Sequence, residues 1–358
     1  MKILLISPQP PPYGGISNWT AMILRYAEST KDVFRTINIA PKKRSTEGRT
    51  FFDRVVVSGI EMLAKNRQLK KEIKYNRPDV IHMTTSGQLA IIRDILLLST
   101  AKKLGVPTVY HIRFGKTAEM AEKNTKMWSY FKKAMLLAKT VIAIDKKTYE
   151  AIKKYVPEVN VVLLPNPVDT SKLPKCVECP KKQVVFLGWV VPAKGVSELV
   201  EAWNTIGTEY PDYELVLIGQ FKTEYLDTLK ESLKVENIKF TGEMNHDSAM
   251  YAVAESEVFI LPSYTEGFPN AVVEAMALKK AVIATDVGAI PEMLEGNCGV
   301  LIKPHNVEEI ISAVRCVLSD SMFRNSIAEN ALNKVNLEYT IERVYNKYKK
   351  IWSSVGDR

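Results

Sequence analysis

The sequence has no apolar run long enough to cross a bilayer. Its longest apolar stretch, Leu89 to Ala101, is broken by Arg93 and Asp94, whereas a spanning helix needs about 20 apolar residues in a row. The apolar run behind Met1 stops before Pro8, too soon for a signal peptide. Cysteine is scarce: four in 358 residues do not make a disulfide framework, and the expected setting is a reducing cytoplasm. Cys176-x-x-Cys179 has no second ligand pair and lies in a linker-like stretch, so it reads as two reduced thiols. No Asp/His cluster shows metal-ligand spacing, and no metal is expected. Short repeats, low-complexity segments and groove-reading or RNA-stacking motifs are also lacking, which argues against a nucleic-acid partner.

What is present is ordinary globular composition, 46% hydrophobic and 25% charged, at a length that suggests two domains. The net charge of +9 is unevenly spread. Residues 1–170 hold 29 Lys and Arg against 14 Asp and Glu, a balance of +15; residues 171–358 hold 20 against 26, a balance of −6. A basic half suits an anionic partner such as phospholipid headgroups or a lipid diphosphate, or it is a solvated lysine-rich surface. Between 116 and 139, Met127, Phe131 and Met135 recur at helical spacing and read as core-facing. The neighbouring lysines and Trp128 are candidates for a basic surface lying on headgroups.

Short β-rich runs alternate with helical patterns. Strands are predicted near residues 3–7, 33–39, 80–83, 108–112, 140–144 and 161–164. A polar stretch follows Pro165-Asn166-Pro167, and the alternation restarts at 184–187, 214–218, 238–241, 258–261, 281–285 and 299–302. Alternating strands and helices imply parallel sheets covered on both faces. The predicted fold class is therefore α/β, two doubly wound, Rossmann-like parallel-sheet domains facing across a cleft. The domains are 1–168 and 183–338, with 169–182 as linker. A continuous helical pattern covers 321–350, and a tail helix over about 339–358 is expected to pack back on the first domain.

The most informative segment is PSYTEGFPNAVVEAMALKKAVIATDVGAIPE, residues 262–292. A buried strand leads into a loop and then a helix opening near Asn270. Glu266 and Glu274 bracket that junction, and Gly267 is expected to let the backbone turn tightly. Backbone N–H groups at the helix start, Asn270 to Val272, are placed to bind phosphate. Glu274, about one turn in, can accept hydrogen bonds from a ribose diol, and Glu266 can meet a sugar hydroxyl. Either carboxylate alone would read as a helix-terminus charge worth roughly 0.3–1 kcal/mol.

The whole string resembles the E-x7-E signature of the retaining glycosyltransferases of family 4, which share the GT-B fold. The resemblance covers nearly the whole chain and is strongest from 183 to 303. FLGWVVPAKGVSELVEAW, residues 186–203, resembles the family's strand–loop–helix, in which Lys194 can reach a diphosphate and Gly195 opens the helix. The family usually has an Arg after the strand's glycine; here Trp189 follows Gly188. Arg113, backbone N–H groups or a weak grip on the donor are then the alternatives, and Arg113 is favoured because it lies two residues beyond His111. Gly14 and Gly15 resemble the family's glycine loop after the first strand, and His111 its histidine that contacts the donor sugar. His82 reads as a satisfied core or strand-end histidine. LLPNPVD, residues 163–169, resembles the family's hinge segment, with Pro167 in place of Gly.

The resemblance implies a metal-independent, retaining hexosyltransferase acting in polysaccharide biosynthesis, with Glu266, His111 and Lys194 as its catalytic group. The donor site would comprise Gly14, Gly15, Lys194, Glu266, Gly267, Phe268, Pro269, Asn270, Ala271, Val272 and Glu274, with Arg113 and Trp189 toward diphosphate or acceptor. It implies no cofactor, a nucleotide-sugar donor (UDP-sugar ahead of GDP-sugar) and a glycan or lipid-linked acceptor. The expected location is the cytoplasm, with peripheral contact on the inner face of an anionic membrane. Two rival readings share the fold: a sugar-nucleotide epimerase and a non-catalytic nucleotide-sugar-binding partner.

Overall fold

The computed structural model describes residues 1–11, 14–40, 51–175 and 181–356, with side chains omitted for 51–58. Cys176 and Cys179 lie outside the described residues. Two compact units are present: Met1–Asn166 with Val344–Arg358, and Pro167–Arg343.

The first unit is built on six parallel strands, β1 (Lys2–Ser7), β2 (Val33–Asn38), β3 (Val80–Thr85), β4 (Thr108–Ile112), β5 (Thr140–Ala143) and β6 (Val161–Leu163). Their order is β2-β1-β3-β4-β5-β6, so the chain reverses direction across the sheet between β1 and β3. Every residue of β3, β4 and β5 is buried, as expected of strands covered on both faces. Edge strand β2 keeps an alternating exposed pattern. Trp128, Phe131 and Met135 of the helix Lys126–Leu137 all enter this core. Trp128 is thus packed inside rather than offered to headgroups, because its indole shares the buried face of the helix.

The second unit repeats the plan with β7 (Lys181–Leu187), β8 (Glu214–Ile218), β9 (Ile238–Gly242), β10 (Ser256–Leu261), β11 (Ala281–Thr285) and β12 (Val300–Ile302). The order is β12-β11-β10-β7-β8-β9, all parallel, with its reversal between β7 and β10. Trp203, Phe186 and Phe259 are fully buried around this sheet.

All twelve predicted strands exist, most with ends shifted by one or two residues, and three larger differences stand out. β7 starts at Lys181, inside the expected linker, because Lys181 pairs in register with Ser256 of β10. Pro167 and Val168, assigned to the first domain, and Asp169 to Lys175, assigned to the linker, belong to the second unit; Val168 and Thr340 form a β-bridge there. The pattern read as one helix over 321–350 is interrupted by a wide turn at Val335–Tyr339 and extended Thr340, and the last helix is Ile341–Gly356. Two short helices, Thr117–Glu122 and Ile290–Leu294, were not legible. The first ends just before Asn124, whose φ of 42 separates it from the following helix, which Thr125 caps.

The last helix carries Tyr345, Tyr348 and Trp352 into the first unit's core, where Trp352 stacks on Tyr348 with ring centroids 5.7 Å apart. Among the described residues no helix is long and apolar enough to cross a membrane.

Candidate functional site

In an open parallel sheet, ligands bind outside the carboxyl ends of the strands where the strand order reverses. In the second unit that place lies beyond β7 and β10. The loop after β7 closes with a single turn, Pro192–Lys194, and then enters the helix Val196–Glu209. The loop after β10 carries Glu266 and enters the helix Asn270–Ala277. The two loops are fastened together. Tyr264 N–H donates to the Ala193 carbonyl at 3.0 Å. Gly195 adopts a left-handed φ of 68, and a Cβ there would overlap the Pro262 carbonyl oxygen. Only glycine meets both demands.

This fastening brings Lys194 and Glu266 into contact although they are far apart in sequence. The Lys194 ammonium donates to Glu266 Oε1 at 2.6 Å, with the lysine side chain 29% and the glutamate 11% exposed. The turn at Glu266-Gly267 is braced by the neighbouring loop: Ala289 N–H donates to the Gly267 carbonyl at 2.8 Å. A glycine whose missing side chain permits this approach is Gly288, at φ 58. A Cβ on Gly288 would overlap the carbonyl oxygens of Glu266 and Gly267.

Glu274 lies half-buried in the second turn of its helix and accepts or shares a proton with His246 Nε2 at 2.9 Å. That hydrogen bond to a carboxylate raises the His246 pKa above its ordinary value, against the opposing effect of burial. His246 opens the helix His246–Glu255, capped by Asn245. Nothing local in the sequence announces this pairing across 28 positions.

Two expected donor contacts need correction. Val272 is fully buried and its N–H donates to the Pro269 carbonyl at 3.2 Å, so that N–H is already engaged within the helix start. Phe268 points inward, with its ring edge-on to Tyr339 at 5.8 Å, which leaves only its backbone to face a ligand. Pro269 is buried beside it and precedes the helix as its N-cap residue. Trp189 stands at the end of β7 with 55% of its surface exposed. Behind the lysine loop, Tyr264 donates to Glu198 Oε1 at 2.6 Å and stacks on His305 at 3.6 Å. Burial and that carboxylate push the Tyr264 phenol upward.

The first unit's reversal lies beyond β1 and β3. Ser7 Oγ at the end of β1 meets Thr20 Oγ1 and Thr84 Oγ1, each at 2.7 Å. Gly14 and Gly15 then open the helix Gly15–Ala27, with Gly14 as its N-cap residue. A Cβ on Gly15 would meet nothing within 4 Å, so this unit's packing does not itself demand glycine there.

His111 on β4 and Arg113 just beyond it converge on Trp19. The guanidinium lies over the indole at 4.5 Å, and the imidazole packs edge-on to it at 5.2 Å. Both side chains are buried, yet His111 Nε2 and Arg113 Nε and Nη1 have no hydrogen-bond partner. Among the described residues no carboxylate pairs with Arg113. Burial lowers the Arg113 pKa to about 10, and burial followed by the Arg113 charge holds His111 well below the usual histidine range. A buried cation and a buried polar nitrogen without partners are costly in isolation, so the arrangement is suited to an oxygen-rich or anionic ligand. His82 is satisfied at both ring nitrogens: Trp352 Nε1 donates to its Nδ1 at 2.9 Å, and its Nε2 lies 3.1 Å from His111 Nδ1.

Residues 32–172 match the family described as Glycosyltransferase Family 4, and residues 177–334 match the Glycosyl transferases group 1. A protein named as a teichuronic acid biosynthesis glycosyltransferase of Bacillus subtilis is 25% identical over 279 residues, covering 73% of this chain and 67% of its own length. The capsular polysaccharide biosynthesis glycosyltransferase CapM of Staphylococcus aureus is 24% identical over 175 residues, covering 47% of this chain and 45% of its own. Among solved structures, Anabaena HepE in complex with UDP and glucose superposes with a TM-score of 0.70 at 17% identity, covering 99% of this chain and all of that one.

Proposed function

The chain belongs to the group 1, family 4 glycosyltransferases of GT-B fold, and from that premise we propose that it moves a sugar from a nucleoside diphosphate sugar to an acceptor hydroxyl with retention of configuration and without a metal. The observation that carries this reading is the Lys194–Glu266 pair, held beside a helix N-terminus at the strand reversal of the second sheet.

In this reading the pair is a site held ready by its own charges. When donor binds, Lys194 turns to the diphosphate and Glu266 accepts a sugar hydroxyl. Each charge exchanges one partner for another, so neither is left buried and alone. Glu274 exchanges His246 for the ribose diol. Asn270 and Ala271 offer backbone N–H groups to phosphate oxygens, with Gly267 and Pro269 shaping the loop around them. Gly14 and Gly15 let a phosphate or sugar oxygen approach backbone closely. His111 and Arg113 supply the donors left unsatisfied in the first unit, and exposed Trp189 offers an aromatic face to sugar or acceptor.

The bond from the anomeric carbon to the diphosphate oxygen breaks, and its electron pair stays on that oxygen. Lys194 and the helix N-terminus stabilise the charge that grows there. The acceptor oxygen bonds to the same face, and its proton passes to the departing phosphate oxygen.

The complex of HepE with UDP and glucose supports a UDP-sugar ahead of a GDP-sugar. The named roles of the two bacterial relatives support a glycan or lipid-linked precursor as acceptor. A cavity of about 360 Å³ in the first unit, with Leu89, Phe114, Met120 and Met127 beside Lys116 and the ion pair of Lys123 with Glu119, suits a chain that is apolar along most of its length and anionic at one end. Such an acceptor would place the enzyme in the cytoplasm, on the inner face of an anionic membrane.

A thermal-shift panel of nucleotide-sugars tests the reading. A ligand at 100 times its dissociation constant stabilises by about 2.7 kcal/mol, so the fitting donor should raise Tm measurably. Incubation with the labelled donor then separates transfer from epimerisation and from binding alone. A panel in which no nucleotide-sugar shifts Tm would overturn the proposal.

A further inference from the structure

Trp352, His82 and His111 form a line of hydrogen bonds whose direction is dictated at one end. An indole N–H can only donate. His82 Nδ1 therefore receives the Trp352 proton and carries a lone pair. His82 is fully buried, and burial together with the nearby Arg113 charge lowers its pKa to about 3, so it is neutral. A neutral imidazole with a lone pair on Nδ1 carries its proton on Nε2. That proton faces His111 Nδ1 at 3.1 Å. His111 Nδ1 must then hold a lone pair, and neutral His111 carries its own proton on Nε2. This is the nitrogen that is buried and unpartnered.

We infer that Trp352 and His82 are positioning residues that hold His111 in the Nε2–H tautomer, so that it meets substrate as a hydrogen-bond donor and not as a proton acceptor. The inference deepens the proposed function and rests on its reading of His111 as a substrate contact. Among the described residues no carboxylate pairs with Arg113, and no acceptor is hydrogen-bonded to His111 Nε2. Trp19, Tyr348 and Trp352 wall the two imidazoles with aromatic faces and edges, and the ionisable neighbours that pack here are Arg113 and Tyr348. Trp19 Nε1 donates to the Tyr348 hydroxyl at 3.3 Å, so the cage supplies its own donor elsewhere. The ligand atom that completes the line is an acceptor oxygen, a sugar hydroxyl or a phosphate oxygen, shared with the unsatisfied guanidinium of Arg113. The last helix thus reaches the site chemically: its indole sets the direction of a proton two residues away along the line.

The test uses the full chain labelled with 15N-histidine and reads the protonated ring nitrogen by long-range proton–nitrogen correlation. His82 and His111 should both appear as Nε2–H tautomers. Trp352→Phe keeps an aromatic ring against Tyr348 but removes the donor, so His111 should become a mixture of tautomers and turnover should fall about tenfold, the worth of one neutral hydrogen bond. His82→Gln keeps an oxygen toward Trp352 and an N–H toward His111, so it should preserve the His111 tautomer and most of the turnover, even if Trp352→Phe fails to fold. A wild-type His111 protonated on Nδ1, a tautomer unmoved by Trp352→Phe, or a tautomer lost in His82→Gln would each overturn the inference. If the tautomers behave as expected while no nucleotide-sugar is turned over, the transfer reading falls and the hydrogen-bond line stands.

Discussion

Each acidic side chain of the E-x7-E string has a basic partner already in place: Lys194 for Glu266 and His246 for Glu274. The second pair makes a prediction that can be read without substrate. The hydrogen bond to Glu274 raises the His246 pKa, so its contribution to stability is complete below the unfolded value of about 6.5 and is lost as pH rises through the folded value. Glu274→Gln should bring the His246 titration midpoint, followed by NMR, back down toward the unfolded value. A nucleotide that takes Glu274 should do the same. Glu274→Ala should weaken nucleoside diphosphate binding by about 1.5–3 kcal/mol, the worth of hydrogen bonds to a charged acceptor, and calorimetry measures it directly. Unchanged affinity would remove Glu274 from the donor site.

The loops after β7 and β10 depend on two glycines for their approach, Gly195 and Gly288. Gly195→Ala places a methyl group on the Pro262 carbonyl and forces a left-handed φ on a residue with a side chain. The backbone strain alone costs about 1–2 kcal/mol, and relief of the overlap must spread the two loops apart. The expected result is a lower urea midpoint with unchanged slope, together with a larger loss of nucleotide affinity than the stability loss alone would cause. Equal affinity in the variant would show that the Lys194–Glu266 geometry does not depend on this approach. The helix Lys126–Leu137 shows the opposite relation between pattern and packing. Met127, Phe131 and Met135 were the expected inward face; Phe131 and Met135 are buried, but Trp128 takes the place of half-buried Met127. The two candidates are one position apart, and tertiary packing selected the larger ring.

Charge acts over the entire chain. The balance of +15 over residues 1–170 against −6 over the remainder gives the N-terminal half of the chain a long-range attraction for anionic surfaces. If that attraction serves an acceptor held in an anionic bilayer, flotation with vesicles containing anionic lipid should be strong at low salt. It should fall steeply as the screening length drops from about 30 Å at 0.01 M to about 8 Å at 0.15 M. Negligible flotation at low salt would point to a soluble acceptor and leave the lysines as a solvated surface. The twelve strands and both parallel sheets were legible because buried parallel strands are short, apolar and regularly spaced between helices. Glu266, Glu274 and Lys194 stood out because the strings that hold them resemble the signature segments of a known family, and the junction of loop and helix alone would have left them as ordinary surface charges. What the linear order of residues left open was every partnership across distance. Lys194 meets Glu266 over 72 positions, His246 meets Glu274 over 28, and Trp352 meets His82 over 270. Periodicity reports which face of an element is buried, because burial follows local spacing. Which groups touch, which proton faces which lone pair, and whether Phe268 or Val272 turns toward a ligand are decided only when the strands take their order and the loops beyond them close.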